Sequence, residues 1–268
     1  MVIAREPVAR VAERVLRLAD GYEPPSFDHV PDPDAAIFLC AIDHRTGYRT
    51  GHVVEGKGPL EGSALMWAVA LGRARRQPGL LTAATLRAVT GDQVAQLFLV
   101  EGETVFDPEP RAALWRDLAS GLERDYEGNA EDLLVRSAGR LGGPDGMLAR
   151  LAAFEAYADP LRKKSFLFAK ICARRGWLEV RDPKRWEVCA DNVLMRLALR
   201  SGLVGEGSLA EVRAATLEAF NRVADQTGIS PPILDDLLWE RGRDDPDLLG
   251  GERNELREPA REPGSVWY

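Results

Sequence analysis

The chain has 268 residues, 45% of them hydrophobic and 29% charged, enough to bury one sizeable core and too apolar for a disordered polypeptide. Its 35 lysines and arginines stand against 42 aspartates and glutamates, a formal charge of −7. That balance counts against long nucleic acid, whose binders gain affinity by neutralising phosphates, whereas one local basic cluster would suffice for a small anionic ligand.

Helical signals dominate from the start. Val8, Val11, Val15 and Leu18 recur at helical spacing before Asp20-Gly21 stops the run. YEPPSFDHVPDPD then reads as a proline-rich connector. The apolar run AAIFLCAI (35–42) fits a buried strand or a buried helix equally well. DHRTGYRTGHVVEGKGPLEG, rich in glycine, reads as an irregular loop. Beyond Ser63 the punctuation is mostly helix caps. Asp107-Pro108 opens a helix carrying Leu114, Trp115, Leu118 and Leu122, and Asn129 caps the next. Asp159-Pro160 and Asp182-Pro183 repeat the cap-plus-proline device. Ser208-x-x-Glu211 is a capping box opening a long helix that stops at Gly228, and Ser230-Pro231 starts a last one. The expected fold is mostly α: one helical domain over 1–268, or two interleaved lobes, with a polar surface tail over 241–264 and the terminal Val266-Trp267-Tyr268 docking back.

Cys40, Cys172 and Cys189 show neither disulfide nor metal spacing and read as small buried hydrophobes. The opening MVIAREPVARV has no apolar secretory core, and no run approaches a membrane span, so a cytoplasmic setting is expected. His29, His44 and His52 are expected in loops without ligand spacing, so no metal and no cofactor are implied.

Three constellations carry chemistry. In DPLRKKSFLFAKI (159–171), an N-cap at Asp159 would put Lys163 and Lys164 about one turn into a helix. Lys164 shares a stripe with Leu167, Phe168 and Ile171, and so points inward. Lys163 shares a face with Lys170 and Arg174, expected to be solvated. Burial and a helix N-terminus both lower a lysine's pKa, as an amine nucleophile requires, although snorkelling at the core edge is the commoner outcome. In CADNVLMRLALRSGL (189–203), Asp191 reads as an N-cap whose carboxylate the backbone N–H groups hold ionised. In PPILDDLLWERG (231–242), Asp235 and Trp239 lie four apart on one face, able to bond and stack a nucleobase. The ordinary alternative makes Trp239 core and Asp235 a first-turn acid.

Together these segments resemble the helix-hairpin-helix DNA glycosylases and their relatives. KSFLFAKI, ADNVLMRLALRSGL and VADQTGISPPILDDLLW look like the archaeal-type 8-oxoguanine DNA glycosylases over the C-terminal hundred or so residues. Nearly the whole chain, in order, is similar to the queuosine salvage N-glycosidases, through IFLCAIDHRTGY, LRAVTGDQVAQLF, LRKKSFL, CADN, EVRAAT and LDDLLW. The resemblance departs in three places: no L-P-G-x-G hairpin precedes the lysines, DHRTGY stands where the salvage family has an aromatic-rich loop, and Val193 replaces its arginine after the aspartate. It implies the glycosylase-like helical fold with a degenerate hairpin. It also implies a monomeric hydrolase acting on the N-glycosyl bond of a free modified nucleotide, queuosine 5′-monophosphate, to release queuine. Asp191 would stabilise an oxocarbenium-like ribose or align water, and Lys164, or Lys163, would hold sugar or phosphate. Asp235 would bond the base edge with Trp239 against its face, and Asp43, His44 and Tyr48 would be loop contacts. The first branch implies instead a DNA glycosylase/lyase with Lys164 as Schiff-base nucleophile. A non-catalytic helical nucleotide-binding protein is the third alternative.

Overall fold

The computed structural model describes residues 5–267. Among these the fold is mostly α, with twelve helices and one two-stranded sheet. No helix among them is long and apolar enough to cross a membrane. The described chain forms two units that alternate along the sequence: residues 5–26, 160–166 and 183–265 make the first, and residues 27–159, 167–182 and 266–267 the second. Of the expected terminal dock, Val266 and Trp267 belong to the second unit and are half-buried, and Tyr268 lies outside the described residues.

In the second unit, α2 (Pro33–Ala41) settles the ambiguity of the apolar run. It is a helix because Asp32 caps it, accepting from Ala35 N at 2.7 Å, and Pro33 sits at its first turn. Every residue from Ala35 to Ala41 is buried. Around it pack α6 (Pro108–Asp125) and α7 (Ala130–Ser137), while α4 (Ala83–Leu86) and α5 (Gly91–Leu97) lie on α6. Tyr157 Oη donates to the Ile37 carbonyl at 2.5 Å and Trp115 Nε1 to that of Phe38 at 2.7 Å, so two large rings are oriented by α2's own backbone. Asn129 caps α7 as expected, accepting from Asp132 N at 2.8 Å.

Part of the glycine-rich segment is not a loop. His52–Val54 (β1) and Lys57–Leu60 (β2) form an antiparallel hairpin beside α3 (Gly62–Arg76). Glu55 and Gly56 between them have φ of 50° and 75°, the left-handed pair of a type I′ turn. The signal was masked because glutamate replaces the usual Asn or Asp, and Gly58-Pro59 dilutes strand propensity. Glu55 is tied down by Arg75 and, at 2.7 Å, by Arg76. His52 therefore lies on a strand. Its ring nitrogens meet Glu101 and Glu103, each at 3.1 Å.

Of the other Asp-Pro pairs, Asp107-Pro108 opens α6 as N-cap and N1, with Asp107 at φ 49° and without a side-chain bond, and Asp182 serves elsewhere. Asp182 accepts from Leu141 N at 2.8 Å and Gly142 N at 2.9 Å, and only a single 3-10 turn, Pro183–Arg185, follows. An aspartate before proline takes whichever N–H groups the fold brings near, and those need not be the next helix's own.

In the first unit, α1 (Arg5–Ala19) packs on α11 (Leu209–Thr227), and α10 (Asn192–Arg200) packs on α11 and α12 (Pro231–Asp244). The Ser208–Glu211 capping box and the left-handed Gly228 end α11 as the sequence requires. Val11, Val15, Leu194, Val212, Phe220, Leu234 and Leu237 are fully buried. Residues 241–244 still belong to α12, and the chain beyond lies over α10. Arg196 pairs with both oxygens of Glu258 at 2.9 Å, and Arg200 pairs with Asp247 at 2.9 Å while its Nε reaches the Leu256 carbonyl.

Gly242 allows the α10–α12 approach, since a Cβ there would lie 2.5 Å from Leu197 Cδ1. Gly242→Ala is expected to destabilise the protein by about 1–3 kcal/mol through overpacking, read as a lower midpoint in urea. A second expectation concerns pH. Hydrogen bonding to Glu103 raises the His52 pKa, and the same bond lowers that of Glu103. Their contribution is complete between the ordinary values of 4.5 and 6.5. It falls away as pH rises through the raised histidine value or drops through the lowered glutamate value. Protection factors of the hairpin amides, taken against the intrinsic exchange rate at each pH, should therefore fall on both sides of that window, and pH-independent protection factors would refute the linkage.

Candidate functional site

Helix α9 (Lys163–Arg174) begins later than Asp159-Pro160 suggested. Asp159 is buried in the preceding segment, and the residue before the helix is Arg162, at φ 56°, whose carbonyl accepts from Phe166 N at 2.9 Å. Lys163 and Lys164 are thus the first two helical residues, at the positive end of the dipole. Lys164 is fully buried, as its phase predicted. The expected solvated face is not one: Lys163 and Arg174 are half-buried and Lys170 is buried, while Leu167, on the supposed inward stripe, is half-buried. A helix enclosed on most sides has no wet face for periodicity to find.

Asp191 caps α10, its Oδ1 accepting from Val193 N at 2.9 Å and Leu194 N at 3.0 Å. The segment leading to it is held residue by residue. Val188 N donates to Asn221 Oδ1 at 3.2 Å, and Cys189 N to Asp235 Oδ1 at 2.8 Å. Arg213 Nε reaches the Ala190 carbonyl at 3.5 Å. These anchors come from α11 and α12, so both helices aim the cap.

Asp191 is only 8% exposed, and its electrostatics reverse the sequence expectation. Burial pushes its pKa up, outweighing the opposing pull of the Lys163 charge and the two N–H groups, while nearby Asp235 pushes the same way as burial. The capping bonds that promised a firmly ionised group are present, but they do not offset the loss of water. The Lys163 charge bears on Asp191.

Asp235 is buried in α12 and faces this segment. Trp239 is not core. It is half-exposed, with the Arg243 guanidinium 5.4 Å from its ring centre. An open cleft of about 310 Å³ lies along α11, lined by Leu161, Glu187, Leu217, Asn221 and Asp225, and none of the five anticipated residues of this unit lines it.

Asp43, His44 and Tyr48 belong to the second unit. Asp43 is buried and accepts from Ser63 Oγ at 2.8 Å and Trp67 Nε1 at 3.2 Å. His44 is buried, not an exposed loop histidine. Tyr48 donates to the Phe98 carbonyl at 2.7 Å, and burial pushes its phenol pKa up. The organiser of this stretch is Arg111 of α6, which sequence reasoning missed. Its guanidinium donates to the carbonyls of Ile42, His44 (2.6 Å), Arg45 (2.8 Å) and Phe106 (2.7 Å). Burial brings its pKa down to about 10, and Asp43 opposes that shift. The available signal was a charge in the stripe of Trp115 and Leu118, at i, i+4 and i+7; Arg213 likewise interrupts the apolar stripe of α11. Among the described residues no group of three or more His, Cys, Asp or Glu side chains is arranged to hold a metal ion.

A carboxyl whose pKa is raised by folding favours the native state below its ordinary value of 3.8 and loses that advantage as pH rises through the raised value. Asp191→Asn keeps a capping side chain without the buried charge. Its melting temperature is therefore expected to exceed the wild type's at neutral pH, with the difference shrinking in acid, and a variant less stable at pH 7 would refute this. No protein-family model matches the chain, and no curated protein shows significant sequence similarity to it.

Proposed function

We propose that the chain is an N-glycosidase that hydrolyses the base–ribose bond of a free modified nucleotide, queuosine 5′-monophosphate, releasing queuine. The observation that carries this reading is Asp191, a carboxylate buried at a helix N-terminus and held by anchored backbone. Cleavage of an N-glycosyl bond develops positive charge on the ribose. A carboxylate that burial has left costly to ionise is stabilised most when that cation forms beside it. The interaction is then stronger in the transition state than in the ground state, which is the condition for catalysis. The same carboxylate can orient the attacking water.

Lys163, whose charge opposes the upward shift of the Asp191 pKa, contacts the sugar or phosphate, with Lys164 as the alternative. Asp235 takes the base edge and Trp239 its face. The ordered likeness of IFLCAIDHRTGY, LRKKSFL, CADN and LDDLLW to the salvage family supports the choice of substrate.

One specific observation favours a second reading, a DNA glycosylase/lyase: Lys164 is wholly buried at a helix start. Incubation with queuosine 5′-monophosphate and, in parallel, with duplex DNA containing 8-oxoguanine separates the two. Queuine release that drops about 10²–10³-fold in Asp191→Asn is expected. A borohydride-trapped DNA adduct that disappears in Lys164→Ala would replace the first reading with the second. Binding without turnover of either substrate would leave a nucleotide-binding protein.

A further inference from the structure

The second unit carries a surface whose composition is opposite to that of the chain. Phe27 and His29 lie with ring centres 6.3 Å apart, and the Arg174 guanidinium sits 5.5 Å from the Phe27 ring. Arg175 sits 5.2 Å from the Trp177 ring and pairs with Asp28 at 2.7 Å. Exposed Lys57 and Arg75 complete the group, with Arg76 beside Arg75 on Glu55. Burial lowers the His29 pKa first, and then the charges of Lys57, Arg175 and Arg75 lower it further, against Asp28. Arg174 and Arg175, at the end of α9 and just beyond it, thus sit against the Phe27 and Trp177 rings, and Lys57 and Arg75 act on His29 through their charge.

Phe27 holds its place at a cost. Its φ is 61°, a left-handed conformation that bulky side chains rarely adopt and that persists where the surroundings impose it. Here it sets a half-exposed ring beneath a guanidinium. The carboxylates present, Asp28 and Glu55, form exposed or half-exposed ion pairs, which are weak and readily exchanged for another anion.

We propose that this face binds single-stranded nucleic acid, the arginines and Lys57 taking successive phosphates and the Phe27 and Trp177 rings taking unstacked bases. Cations interleaved with aromatic rings are what a flexible single strand requires, because every base has a face to stack and every linkage a charge to neutralise. The net charge of −7 does not oppose this, since a phosphate contact depends on the field within about a Debye length. The inference stands independently of the N-glycosidase reading.

The test is fluorescence anisotropy with a labelled single-stranded 12-nucleotide RNA and, as comparator, a duplex of the same length. Micromolar binding at about 50 mM salt is expected, falling roughly tenfold or more by 200 mM. Phe27→Gly removes the ring at a φ that glycine prefers. It should weaken binding about tenfold without lowering the melting temperature, while Phe27→Tyr should retain binding. Lys57→Glu, on an exposed position, should weaken binding and flatten the salt dependence. Absence of binding at low salt, equal affinity for the duplex, or affinity unchanged in both Phe27→Gly and Lys57→Glu would each overturn the proposal.

Discussion

A carboxylate removed from water must be met by something, and in the first unit much of the local structure follows from how Asp191 is met. Two backbone N–H groups and a lysine charge oppose its desolvation without cancelling it. That balance requires the turn before α10 to be immobile, because N–H groups a few tenths of an ångström out of line would leave the group unsupported. Asn221, Asp235 and Arg213 supply the immobility by taking one backbone group each at residues 188–190. The side chains of α11 and α12 thus act on the site chiefly by holding backbone.

The second unit uses the same device with the charges reversed. Arg111 is a buried cation whose donors are spent on loop carbonyls. A guanidinium's five donors lie in one rigid fork, so the carbonyls of Ile42, His44 and Arg45 are set together. Asp43 and His44 owe their buried positions to this arrangement. In both units a charged residue interrupting an apolar helical stripe marks where irregular backbone is pinned, and such interruptions carry more positional information than the apolar residues around them.

Much of the helical framework was legible from short signals. Asp191, Asn129 and the Ser208–Glu211 box cap where their types and spacings said they would, because a cap is a local contest among a few N–H groups. Asp182 failed as a cap for the complementary reason: its side-chain partners, Leu141 N and Gly142 N, lie far away in sequence. The hairpin at 52–60 was hidden by its Glu-Gly turn. The solvated face assigned to Lys163, Lys170 and Arg174 was wrong because amphipathic patterning presumes that one side of a helix meets water.

The sequence by itself determined the class of fold, most helix starts, and the identities of a buried lysine and a capping aspartate. Those properties rest on interactions within about one helical turn. Only the tertiary structure decided that the Lys163 charge bears on Asp191, and that burial outweighs capping in setting that group's pKa. It also decided that Trp239 is half-buried beneath Arg243, and that Arg111 and Arg213 hold backbone carbonyls. Desolvation and long-range Coulomb effects depend on everything that surrounds a group, and neighbours dozens to hundreds of residues apart in the chain leave no periodic trace in it.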